Sequence, residues 1–279
     1  MSKDIKSSLK QDVPPQDGVQ LDRVQSDPWA QLKSFTRARI ALGRVGSSLP
    51  TKEVLSFGLS HAMARDAVHL ALDVDALAAQ IEALGLNVIK VHSRAPDRAG
   101  YLLRPDFGRR LDAASLGILQ ANKPQKPIDF MLVIGDGLSS LAVQRHVAPL
   151  ITEIQKILPE TWVLGDVVIA SQARVAIADE VGEALGARLI AMLIGERPGL
   201  SSPDSLGIYL TYAPKVGYSD ADRNCISNVR PEGLNYAAAA KKMMWLAVEA
   251  MRLQVSGVML KDESDAVQIE VKASPELGI

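Results

Sequence analysis

The chain has 279 residues, 47% of them hydrophobic, enough apolar material for one large core or one core plus a helical appendage. Its 31 lysines and arginines balance 32 aspartates and glutamates to a formal charge of -1, so no overall field favours nucleic acid or an anionic membrane. One cysteine makes no internal disulfide, no apolar run reaches the roughly 20 residues of a membrane span, and no signal-like segment opens the chain, so the cytoplasm is the expected compartment.

Residues 1–27 mix Lys, Asp, Gln, Ser and Pro too densely to bury their own ordering cost, and a mobile arm is expected there, with Ile5 and Leu9 able to share one helical face. Residues 28–85 read as a helical lead-in. "DPWAQLKSFTRARIAL" offers Asp27 as N-cap and Pro28 at the first helical position. After the break at "GRVGSSLP", a second helix over 51–73 repeats Val54, Leu55, Leu59, Ala62 and Met63 at the spacing of a buried stripe.

From residue 86 the period changes. The runs "LNVIKVHS", "IDFMLVIG", "DVVIAS", "ARLIAMLIG" and "SLGIYLTYA" alternate with helical segments at 106–121, 138–157, 176–186 and 235–254. Near-continuous apolar runs of this length suit strands covered on both faces. Residues 86–260 are therefore predicted to form a doubly wound α/β domain with a mostly parallel sheet, followed by a polar tail over 261–279.

In such sheets ligands bind beyond the carboxyl ends of the strands, which points to the loops at 135–140, 171–175, 195–202 and 214–233. "GDGLSS" resembles a phosphate-cradling turn, but Ser140 replaces the third glycine of a dinucleotide fingerprint, and a tight turn with Asp136 capping the next helix explains it equally well. In "GERPGLSS", Glu196 either faces a ligand or pairs with Arg197 or with other neighbours. The four histidines, His61, His69, His92 and His146, are dispersed, and no paired-cysteine or His-Glu-His motif exists, so zinc chemistry is not expected. Cys225 could join a nucleophile assembled in three dimensions, but a small buried thiol is the commoner fate. Arg94, Arg98, Arg104, Arg109 and Arg110 read as a partner interface or phosphate site rather than plain surface, with Asp106 as the N-cap of the helix behind them.

Taken in order, "YLLRPDFGRRL", "IGDGLSS", "LIGERPGLSSPDSLG" and "ADRNCISNVRPEG" resemble the small (light) subunits of ethanolamine ammonia-lyase over about residues 28–260. The resemblance implies an α/β subunit that closes over adenosylcobalamin at the interface with a large catalytic subunit, in a radical enzyme converting ethanolamine to acetaldehyde and ammonia. It implies cofactor contacts at Val175, Glu196 and Cys225, no catalytic or metal-ligating residue in this chain, and heterodimers assembling to higher order. His92, followed by "SRAPD", lacks the motif of proteins that replace cobalamin's own base with histidine, which agrees with the base-on mode the family uses. Phe107 and Asn224 depart from the family's usual residues. The expected location is cytoplasmic, free or within a bacterial microcompartment. The competing reading is a stand-alone corrinoid- or nucleotide-binding α/β module.

Overall fold

The apolar runs alternate in what they touch, and that alternation builds the domain. The computed structural model describes residues 24–264; the expectations for the first 23 residues, Ile5 and Leu9 among them, and for the tail from 265 onward lie outside the described residues. Six strands, β1 (Val88–His92), β2 (Ile128–Gly135), β3 (Val167–Ser171), β4 (Ala187–Gly195), β5 (Leu206–Tyr212) and β6 (Asn224–Val229), form one sheet in the order β1, β3, β2, β4, β5, β6. The first four are parallel; β5 and β6 run antiparallel to their neighbours. The helices are α1 (Thr51–His69), α2 (Val74–Glu82), α3 (Arg98–Leu103), α4 (Ala113–Ala121), α5 (Ser140–Ile157), α6 (Ile177–Leu185) and α7 (Tyr236–Leu253).

Along β2, Phe130, Leu132 and Ile134 join the core under α2, α5 and α7, whereas Met131 and Val133 join the core under α4 and α6. β4 repeats the pattern, with Leu189, Ala191 and Leu193 on the first face and Ile190, Met192 and Ile194 on the second. Both faces of the central strands are thus dry, which is why these segments read as continuous apolar runs. β2 leads into α5 on the first face, and its neighbour β3 leads into α6 on the second. Their connections part above the sheet, opening the crevice where α/β sheets place ligands.

The α/β class and all five expected strands are present, but several local expectations are corrected. Residues 28–50 hold only a short 3-10 turn, Ala30–Ser34, instead of a long helix. Asp27 Oδ1 accepts from Trp29 N at 2.8 Å, yet the turn buries no residue, so nothing sustains a helix there. The described end of the expected arm is held, with Gln25 and Arg44 exchanging backbone hydrogen bonds of 2.8 and 3.0 Å. The chain divides into two compact units after Phe57, and within the first of them Arg39 Nη2 donates to Glu53 O at 2.7 Å and its guanidinium lies 4.8 Å from the Phe57 ring centroid.

α1 forms as expected, but its stripe is not buried. Val54, Leu55, Leu59, Ala62 and Met63 are all exposed, Leu55 at 68%, and Ala67 is the helix's one buried residue. The helix also stops at His69, because Asp73 caps a new one, its side chain accepting from Ala76 N at 3.0 Å. The helix expected at 106–121 is divided into a 3-10 turn, Phe107–Arg109, and α4, begun by Asp112, which accepts from Ser115 N at 2.7 Å; the Asp106 side chain makes no cap bond and pairs with Arg104 instead. At the other end, Lys242 Nζ reaches both Asp262 and Ser264 at 2.8 Å, so the first residues of the expected polar tail lie on α7. No helix among the described residues is long and apolar enough to cross a membrane.

Candidate functional site

The crevice begins where β2 ends. Gly135 leads into Asp136 and Gly137, whose φ of +57° is a left-handed conformation suited to glycine. A side chain at Gly137 would overlap the Gly195 carbonyl oxygen, and one at Gly195 would overlap the Ser139 carbonyl oxygen and meet Asp136 O at 2.7 Å. The turns after β2 and β4 therefore touch backbone to backbone, tied by Leu138 N donating to Gly195 O at 3.0 Å. The expected capping role of Asp136 is corrected: Ser139 caps α5, accepting from Ala142 N. Asp136, buried, reaches sideways to the turn after β3, where its two oxygens accept from Gln172 N (3.0 Å) and Ala173 N (2.8 Å). Gln172 is itself left-handed, at φ +53°. Burial pushes the Asp136 carboxyl up, against the pull of those two N–H groups and of Arg98 Nη1 at 3.5 Å.

Beside this turn the Tyr101 ring meets two guanidinium groups, 4.6 Å from Arg98 and 4.1 Å from Arg174, and its hydroxyl donates to Ala173 O at 3.1 Å. Burial raises its phenol to about 12. Tyr101, Leu138, Arg174, Val175, Glu196, Arg197 and Tyr209 line an open cleft. Val175 sits half-buried just before α6, at a helix N-terminus that no side chain caps.

Glu196 follows β4, and its side chain lies across the sheet flank rather than into solvent. Its carboxylate accepts from Ser205 Oγ and from Asn228 N, the latter at 3.3 Å to each oxygen. A side chain at Gly207 would stand 3.2 Å from Glu196 Cγ and Oε1, so the glycine supplies the hollow in which Glu196 rests. Asn228 presents its N–H there because β6 carries one extra residue: Ile208 pairs with Ile226 but Leu206 pairs with Val229, and Asn228 turns left-handed at φ +61°. Of the local arrangements expected, pairing with neighbours is the one found: Ser205 and Asn228 hold Glu196, while Arg197 is exposed.

Cys225 lies in β6, where the sequence had suggested a loop. Nor is it the buried thiol expected: on an edge strand it is exposed, standing opposite Tyr209 in the ladder with its sulfur 3.4 Å from Ser227 Oγ. Directly opposed residues share a face, so Cys225, Tyr209 and Glu196 lie on one flank of the sheet. Burial pushes the Tyr209 phenol above its ordinary value, with Cys225 and then Glu196 adding to the effect. The structure thus brings Val175 and Glu196 to one cleft, with Tyr209 linking them to Cys225. Tyr209, Ser205 and Gly207 were not singled out from sequence; a glycine inside an apolar strand was the available sign of a close approach.

The arginine cluster is largely consumed inside the chain. Arg110 grips Glu180 with two bonds of 3.1 and 2.8 Å, Arg104 pairs with Asp106, Arg98 bonds Val68 O and Asp136, and Arg94 bonds Leu111 O. Arg109 is exposed. His92 Nδ1 lies 2.7 Å from Ser93 O, and among the described residues no group of three or more His, Cys, Asp or Glu is placed to hold a metal ion.

A family model described as "Ethanolamine ammonia-lyase light chain (EutC)" matches residues 26–261. The ethanolamine ammonia-lyase small subunit of Ralstonia nicotianae is 55% identical over 250 residues, which covers 88% of this chain and 93% of the relative. That of Pseudomonas syringae pv. tomato is 52% identical over 265 residues, covering 94% and 92%, and that of Pseudomonas putida strain KT2440 is 53% identical over 247 residues, covering 88% and 91%.

Proposed function

Because the chain belongs to the ethanolamine ammonia-lyase light-chain family and is a component of an ammonia-lyase, we propose that it closes over the enzyme's cobalamin at the interface with the large subunit. The observation that carries this reading is the convergence of Val175, Glu196 and Cys225, on three separate segments, around the flank that Tyr209 spans. A corrin is a broad apolar ring fringed with amides, and the flank offers matching chemistry. An ionised carboxylate has about four lone-pair sites, so Glu196, holding two internal donors, keeps capacity for an amide N–H. Val175 and Cys225 offer small apolar surfaces, and Ser227 and Asn228 are exposed for further polar contacts.

When bound, adenosylcobalamin supplies radical chemistry at its cobalt–carbon bond, the chemistry by which ethanolamine becomes acetaldehyde and ammonia. This chain's residues bind and orient. Ser205 and Asn228 fix the Glu196 carboxylate so that it meets the ring pre-aligned, and the packed turns at Gly137 and Gly195 give the cleft a rigid rim. The base-on mode belongs to the same reading, in agreement with the sequence after His92, which lacks the motif of proteins that replace cobalamin's own base with histidine. The complex, heterodimers assembled to higher order, would act in the cytoplasm, free or within a bacterial microcompartment.

Reconstitution tests the reading. The large subunit with adenosylcobalamin and ethanolamine is expected to give no acetaldehyde until this chain is added; full turnover without it would refute the proposal, and tight cobalamin binding by this chain as a lone monomer would favour a stand-alone module. In the complex, Glu196→Gln should raise the cobalamin concentration for half-maximal activity by about tenfold, as loss of a charge-assisted bond predicts. An unchanged cofactor dependence would remove Glu196 from the site.

A further inference from the structure

Asp179 and Arg223 form the ion pair most fully withdrawn from water among those described, with side chains 1% and 2% exposed. Arg223 Nη2 donates to Asp179 Oδ2 and to Tyr218 O at 3.1 Å, and its Nη1 donates to Asp220 Oδ1 at 3.1 Å. Arg223 Nε and Asp179 Oδ1 are buried without a hydrogen-bond partner among the described residues. Burial raises the Asp179 carboxyl to about 6 even with the guanidinium beside it. A buried pair with leftover polar atoms is a poor stabiliser, because its desolvation is incompletely repaid, and apolar residues of similar size would serve the fold as well.

Its placement gives it another use. Asp179 is in the first turn of α6, one helical turn beyond Val175, and Arg223 immediately precedes β6, the strand that carries Cys225. The pair is thus a buried side-chain tie between two of the three segments that frame the flank. We propose that Asp179 and Arg223 are positioning residues for the cofactor, fixing the start of α6 against β6 and so setting the span between Val175 and Cys225 over which the corrin lies. This inference rests on the cofactor-closing reading above.

The test is cyanocobalamin titration of the intact complex with the large subunit, followed by absorbance, alongside turnover and thermal unfolding. Asp179→Asn is expected to raise the cyanocobalamin Kd by about tenfold, the usual scale for a supporting residue, and to leave kcat at saturating adenosylcobalamin within about twofold. The double substitution Asp179→Leu with Arg223→Met fills the space without charge, so it should match or exceed the parent's melting temperature while keeping the weakened Kd. A double variant that binds cyanocobalamin within about twofold of the parent would show that the pair serves the fold alone, and would overturn the proposal even where Asp179→Asn fails to assemble. If the large subunit binds cyanocobalamin equally well with and without this chain, the cofactor-closing reading falls, and the inference with it.

Discussion

Gly137→Ala is expected to destabilise the chain by about 3 kcal/mol, since a left-handed alanine costs about 1–2 kcal/mol and the overlap adds an overpacking cost of similar size. The added methyl would fall on the Gly195 carbonyl oxygen and lie 2.6 Å from Ile194 Cγ1. Neither obstacle is the free end of a flexible side chain; the first is backbone at the end of β4, and the second belongs to the packed core under α6. For a domain of this size the loss corresponds to a melting temperature lower by roughly 10 °C. Thermal unfolding of the purified chain reads it, and a shift within about 2 °C would mean that the two turns move apart more easily than their backbone contact implies.

Asp136→Ala should be the other large loss, about 4 kcal/mol, because it strips the acceptor from two N–H groups and removes the carboxylate beside Arg98, which has a buried Nη2 without a partner. Asp136→Asn keeps one carbonyl oxygen for the turn and should lose roughly half as much. Urea unfolding of the two variants separates the causes. Equal losses would place the damage in the Arg98 pairing rather than in the turn.

Much of this architecture was legible because the central strands are dry on both faces and the sequence has to be apolar at every position there. β2 and β4 are the clearest cases, with bounds read directly from "IDFMLVIG" and "ARLIAMLIG". β6 was not legible for the opposite reason. It is an edge strand whose Cys225, Ser227 and Asn228 face solvent, so "NCISNV" carries no alternation strong enough to separate it from a loop. α1 shows the limit of periodicity: spacing identifies a helix with an apolar side but not what, if anything, in the same chain covers it. Asp136 shows a limit of local reading, since its partners are at Gln172 and Ala173, far along the chain, while the nearby Ser139 takes the cap. Glu196 stood evenly between ligand contact and local pairing on spacing alone. The neighbours that hold it are Ser205, just before β5, and Asn228, on β6, and only the fold assembles them.

The reversal of direction at β5 has a consequence for what the flank can be. Parallel neighbours have to be joined by a crossover, and its helix roofs the strands it spans; antiparallel neighbours need only a hairpin. By ending on two antiparallel strands, the sheet gains width without gaining a roof, among the described residues, on the side of Glu196, Tyr209 and Cys225. The opening is therefore a property of the connectivity rather than of any side chain. An insertion that turned either hairpin into a helical crossover on that side would shut the flank while leaving Val175, Glu196 and Cys225 in place, whereas lengthening the hairpin loops themselves would alter its border and leave it uncovered.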